Sequence, residues 1–147
     1  METILLVEDH NLIRELVQEM LELAGYTVIA ARDHNDAFRK IEEVTPNLIL
    51  LDIQLPGLDG YAVLHHLRAD GRFNKIPALA LTAYAMESDR QKGLEAGFDG
   101  YLTKPIERVS LLESIQTLLA KRRSSSMNKS LQNPQTATRA ASTNPPS

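Results

Sequence analysis

The feature that most constrains the fold of this 147-residue chain is a set of five short apolar runs, each followed by a segment with helical periodicity. The runs lie at Ile4–Val7, Thr27–Ala31, Leu48–Leu51, Leu79–Leu81 and Tyr101–Thr103. Strand–helix alternation repeated in this way predicts an α/β fold built on one doubly wound parallel sheet. The first and third runs are apolar without alternation, as expected of central strands covered by helices on both faces.

Four of the five runs end in a functional group. Glu8 and Asp9 follow the first, Asp52 the third and Thr82 the fourth, and Lys104 stands just past the fifth. Parallel strands share one carboxyl rim, and open sheets of this kind bind ligands there, at the switch point of the strand order. In the flavodoxin-like order 2-1-3-4-5, with five helices on two faces, strands one and three are neighbours. Glu8 and Asp9 then face Asp52 across the crevice.

The helical segments carry their own signals. In the first, Ile13, Leu16, Val17, Met20, Leu21 and Ala24 follow the i, i+3, i+4, i+7 rule; Asn11 is the expected cap and Gly25 the expected stop. Ala37, Phe38, Ile41 and Val44 mark the second, and Val63, Leu64 and Leu67 the third. A weaker fourth spans about Met86–Glu95, and Leu111, Leu112, Ile115, Leu118 and Leu119 mark the fifth. Asp33 and Asp59 are the expected caps of helices two and three.

Composition narrows the function classes. There is no cysteine, which excludes a disulfide framework, a thiolate metal site and a cysteine nucleophile. No apolar stretch approaches the roughly 20 residues needed to span a bilayer, and Met1-Glu2-Thr3 lacks the basic region of a secretory signal. A cytoplasmic protein without membrane insertion is expected. The net charge is −3, but no acid follows Glu113 while five of the 16 Lys and Arg do. Residues 1–113 therefore carry 11 basic against 19 acidic residues, a net of −8. An acidic body disfavours direct nucleic-acid binding and suits cations. From Ser124 the composition turns to Ser, Thr, Asn, Gln, Ala and Pro, so residues 1–121 are expected to fold and 122–147 to form a disordered polar tail.

Three neighbouring carboxylates repel one another unless a cation neutralises them, and Mg²⁺, a hard ion that takes oxygen ligands, fits best. A carboxylate beside such an ion is a competent nucleophile for phosphorus. Lys104 offers a point charge and Thr82 a hydroxyl donor for the transferring group. Pro56 and Gly57 turn the chain away after Asp52 and leave its carboxylate at the rim.

Glu8-Asp9, Asp52 within Leu51-Asp52-Ile53-Gln54-Leu55-Pro56-Gly57-Leu58-Asp59-Gly60, Thr82-Ala83, Tyr101 and Lys104-Pro105 together resemble the receiver domain of two-component response regulators. The resemblance spans about residues 2–120. It implies that Asp52 accepts a phosphoryl group from the phosphohistidine of a histidine kinase or phosphotransfer protein. Asp9, Asp52 and the backbone carbonyl of Gln54 would bind Mg²⁺ directly, and Glu8 would act through metal-bound water. Lys104 would contact the phosphoryl oxygens, and Thr82 would move to bind them while Tyr101 rotates inward. It further implies a cis Lys104–Pro105 bond and a downstream protein partner on the face of helix 4, strand 5 and helix 5. A stand-alone receiver that is no enzyme beyond assisting its own phosphorylation and dephosphorylation is expected.

Other readings of the same residues are weaker. A phosphatase of the aspartate-nucleophile type resembles Asp-x-Asp after the first strand, whereas Gln54 occupies the second acid's place and the acceptor lies on strand three. A nucleotide or flavin module needs a Gly-rich or hydroxyl-rich phosphate loop after strand one, where Glu8-Asp9-His10-Asn11 would repel phosphate. A receiver-like module independent of phosphate is disfavoured by the complete acidic set. His10 reads as a solvated loop residue, His65 and His66 as surface residues, and Lys121-Arg122-Arg123 as a complement to the negative end of the last helix.

Gln54 and Tyr84 stand at the two positions that would tune phosphate lifetime in such a family. The bulk of Tyr84 would shield the acyl phosphate from water, so phosphorylated protein in Mg²⁺ should persist well beyond seconds by intact mass; complete decay within seconds would contradict this shielding.

Overall fold

The computed structural model describes residues 2–54, 60–83, 91 and 95–131, with backbone alone for 123–131. Strands β1 (Thr3–Val7), β2 (Thr27–Ala31), β3 (Leu48–Asp52), β4 (Ala78–Thr82) and β5 (Gly100–Thr103) form one sheet in the order β2-β1-β3-β4-β5, every pair parallel. This is the predicted order. The register sets Val7 beside both Ala31 and Leu51, Asp52 beside Leu81, and Thr82 beside Thr103, so the carboxyl ends finish level with one another.

Alternate side chains along each strand enter opposite layers. Leu5, Val7, Ile49, Leu51, Ala78 and Ala80 pack in one cluster with residues of α2 (His34–Lys40) and α3 (Gly60–Arg68). Ile4, Leu6, Leu48, Leu50, Leu79 and Leu81 pack in the other, with α1 (Asn11–Leu23) and α4 (Arg108–Leu131). Every residue of β3 and β4 is buried, whereas the edge strands β2 and β5 are partly exposed. That gradient explains why the central runs are apolar throughout and the edge runs are mixed. Among the described residues no helix is long and apolar enough to cross a membrane.

Several local expectations are corrected. Helix α1 is capped by His10, whose side chain accepts from Ile13 N–H, and not by Asn11. Asn11 is the first helical residue, and its Oδ1 accepts from Arg14 at 2.6 Å. Leu16 and Ala24 face solvent, so the buried stripe of α1 is narrower than the sequence pattern. Helix α2 stops at Lys40, which leaves Ile41 buried but Val44 exposed; Pro46 bars a longer helix by forcing its predecessor toward extended backbone. Helix α4 runs to Leu131, past the domain boundary expected at residue 121, and no Pro or Gly interrupts 108–131. The expected tail beyond residue 131, the cap Asp59, Tyr84 and most of the helix around Met86–Glu95 lie outside the described residues.

Other signals are observed where expected. Gly25 takes φ +100° as it ends α1, a conformation that suits residues without a Cβ. Asp33 caps α2 by accepting from Asp36 N–H at 2.8 Å. Asp36 itself is buried in α2 and gathers Arg32, Arg39 and Lys40 around its carboxylate. Burial opposes its ionisation, but the Arg32 N–H and the charges of Lys40 and Arg39 outweigh burial and hold it below the usual carboxylate range.

The sign of the pH effect follows from that depressed value. The contribution is full above the unfolded aspartate's value near about 3.9 and is lost as pH falls through the lower folded value. Asp36→Asn should lower stability at pH 7 by about 1–3 kcal/mol, with the gap to the parent closing below about pH 3.9. Urea titrations of both proteins across pH check this, and a gap independent of pH would remove the charge-based explanation.

Candidate functional site

The carboxyl rim gathers its polar groups because three consecutive sheet neighbours end there. Asp52, the last residue of β3, is 1% exposed. Its Oδ1 accepts from the Gln54 N–H at 2.9 Å, an Asx-type turn that starts the following loop, and its Oδ2 accepts from Lys104 Nζ at 3.0 Å. Glu8, just past β1, is 0% exposed. Its Oε2 accepts from the His10 N–H at 3.1 Å, and its Oε1 lies 2.9 Å from Lys104 Nζ. That contact is an ion pair, and the buried Oε1 accepts from no other group among the described residues, which leaves it acceptor capacity.

Lys104 is held from both sides. Its backbone N–H donates to the Thr82 carbonyl at 2.7 Å, tying the chain after β5 to the end of β4, and the Lys104–Pro105 bond is cis. Burial disfavours the ammonium, but the contacts with Glu8 and Asp52 outweigh it and raise Lys104 above its usual range. Burial pushes the Glu8 carboxyl up; Lys104 and the His10 N–H oppose this, and the Asp52 charge adds to it.

Asp9 is exposed at the mouth of the cleft. Glu8, Asp9 and Asp52 each place a carboxylate oxygen within 4.8 Å of the others. Among the described residues Lys104 is the one cation paired with this cluster, so with all three acids ionised two negative charges are left over. A set of carboxylate oxygens only, one of them buried with acceptor capacity to spare, suits a hard divalent cation that keeps part of its water shell.

The remaining expected residues surround this cluster. Thr82 is buried at the end of β4, one position past the residue that pairs with Asp52. Tyr101 is half-buried on β5 beside Ala80, and packs against the core on the α2 and α3 side. Because Ala80 and Thr82 are two apart, Tyr101 and Thr82 share one face of the sheet. The Gln54 side chain crosses the mouth and accepts from the Ala83 N–H at 3.4 Å.

Two contributors carried no warning in the spacing. Arg14, one turn into α1, donates to the Glu8 carbonyl at 3.0 Å and so fixes the backbone that presents Glu8 and Asp9. Gly60 packs so closely that a Cβ would lie 2.3 Å from Ile53 Cα and 2.8 Å from the Asp52 carbonyl oxygen. Any side chain at this position would have to displace the Asp52–Ile53 backbone. Both depend on tertiary approach, although Gly60 stands in the same Asp52–Gly60 segment that carries the resemblance.

The sequence matches the family described as the response regulator receiver domain over residues 4–116. It is 41% identical over 116 residues to the phosphate regulon transcriptional regulatory protein PhoB of Escherichia coli, covering 79% of this chain and 51% of that protein. The chain thus spans about half the length of that relative. It is 35% identical over 117 residues to the polar-differentiation response regulator DivK of Brucella anthropi, covering 80% of this chain and 95% of DivK. The receiver domain of sensor histidine kinase PA1611 from Pseudomonas aeruginosa, solved with a magnesium ion coordinated in its active site cleft, superposes with a TM-score of 0.74 at 37% identity, covering 81% and 98% of the two chains.

Replacing one carboxylate separates its two effects. Asp9→Asn should raise the melting temperature in magnesium-free buffer by relieving repulsion, and should remove most of the further rise that millimolar Mg²⁺ gives the parent. Thermal melts with and without chelator decide this; an unchanged Mg²⁺ response would remove Asp9 from the ligand set.

Proposed function

The chain belongs to the response regulator receiver domain family, and on that premise we propose that it is a phosphoacceptor switch with Asp52 as the acceptor. The observation that carries the reading is the buried Asp52 carboxylate, 3.0 Å from Lys104 Nζ and beside Glu8 and Asp9. An Asp52 carboxylate oxygen attacks the phosphorus of a phosphohistidine. The phosphorus–nitrogen bond breaks, the imidazole leaves, and an acyl phosphate forms.

Asp9, Asp52 and the Gln54 carbonyl are the proposed direct ligands of Mg²⁺, with Glu8 acting through its water. The ion supplies charge neutralisation for the transferring group. Lys104 moves from pairing carboxylates to pairing phosphoryl oxygens, which keeps its charge compensated throughout. Thr82 then binds the phosphoryl group through its hydroxyl, and Tyr101, on the same face of the sheet, follows inward. The phosphoryl contacts favour one of two conformations, which is how a local charge change reaches a protein partner.

The proposed donor is a histidine kinase or histidine phosphotransfer protein. The proposed readout is the surface around β5 and the helices flanking it in sequence. No separate substrate is turned over: the domain assists its own phosphorylation and dephosphorylation.

Incubation with acetyl phosphate and Mg²⁺ should add one phosphoryl group by intact mass, absent from Asp52→Asn and from a chelated control. A parent protein that gains no mass would favour a receiver-like module that works without phosphate. Release of phosphate beyond one equivalent from a phosphomonoester would favour a phosphatase.

A further inference from the structure

At the amino edge of the sheet, opposite the acidic rim, lies a cavity of about 590 Å³ between the segments that enter β4 and β5 and the middle of α4. Its charge is the reverse of the body's. Arg68, Lys75, Lys121 and Arg122 line it against a single acid, Asp99. Asp99 is already committed: its Oδ2 accepts from the Ala78 N–H at 2.9 Å and from Arg68 at 3.4 Å. Among the described residues, Lys75, Lys121 and Arg122 have no carboxylate partner.

The cavity is built on fixed groups. Arg68 is part-buried and donates to the carbonyls of Phe73, Ile76 and Gly97 at 3.0, 2.6 and 3.2 Å, which anchors its charge in the wall. Arg122 donates one Nη1 bond to the Asn47 carbonyl at 3.1 Å, and its guanidinium carries further donors. Lys75 and Lys121 are exposed at the mouth and free to turn toward a ligand. Ile76, Pro77 and Leu118 give an apolar floor.

We propose that this cavity binds an organic polyphosphate, with the diphosphate group between Lys75, Lys121 and Arg122 and the organic part over Ile76, Pro77 and Leu118. Three cations without carboxylate partners, converging on one concavity, suit a compact group bearing two or more charges. The volume is that of small-molecule sites, roughly 300–1,000 Å³. The site shares no residue with the phosphoacceptor rim and stands independently of the function proposed there.

Calorimetric titration of the full chain in magnesium-free buffer, with ADP and with pyrophosphate, tests the proposal; chelation keeps the probes off the acidic rim. Both probes should bind with one-to-one stoichiometry, ADP the tighter. Lys75→Gln combined with Lys121→Gln, two exposed positions that leave the fold intact by circular dichroism, should weaken ADP at least roughly tenfold. Asp52→Asn should bind as the parent does. No heat up to millimolar probe, or a double variant that binds as the parent does, overturns the site. Citrate binding as tightly as ADP overturns the ligand class and makes it a carboxylate site.

Discussion

The contact on which the carboxyl rim depends is that of the Lys104 ammonium with the carboxylates of Asp52 and Glu8. Both acids are essentially without solvent, and an unpaired buried carboxylate costs several kcal/mol. Sharing one ammonium lets two such groups exist side by side, and the backbone bond from Lys104 to Thr82 fixes where that ammonium stands. The pairing is incomplete: among the described residues three carboxylates meet one ammonium. The rim keeps a standing demand for positive charge, which a divalent cation meets with oxygen ligands.

Positioning comes from the sheet. Parallel register delivers the ends of β1, β3 and β4 to one level, and two-residue alternation decides which groups enter which layer. Because β3 and β4 are buried on both faces, Asp52 and Thr82 are presented by strands with little freedom to move. The edge strand β5 is different. It carries Tyr101 half-buried and ends at an exposed Thr103, so it is the place where the sheet can change at low cost.

The strands and the rim groups were legible in the sequence because each rests on a strong local signal, whereas the strand order came with the flavodoxin-like pattern and not from any one segment. Apolar runs without alternation mark central strands, and a charged group directly after such a run has nowhere to go but the rim. What was not legible depended on tertiary competition. Arg14 took the Asn11 oxygen, and the cap passed to His10. Leu16 satisfies the helical pattern yet faces solvent, since periodicity does not report how much of a helix its neighbours cover. Polar composition from Ser124 onward says nothing about where α4 ends, and the helix runs on to Leu131. A segment without Pro or Gly can continue an established helix without an apolar face of its own.

The two ends of this sheet carry opposite charge, acidic at the carboxyl rim and basic at the amino edge. A strand of five residues, such as β4, spans about 16 Å, roughly twice the screening length of about 8 Å at physiological salt. The two clusters therefore contribute little to each other's ionisation, and each can be occupied on its own terms. A connection between them has to be mechanical. Asp99 bonds to Ala78 N–H at one end of β4, and Lys104 N–H bonds to the Thr82 carbonyl at the other. Between them a Cβ on Gly100 would lie 2.7 Å from Leu79 Cδ1, so a side chain there would have to push the end of Leu79 aside. β5 is thus tied to β4 at both ends, through Asp99 and Lys104, while its partly exposed middle keeps the freedom of an edge strand.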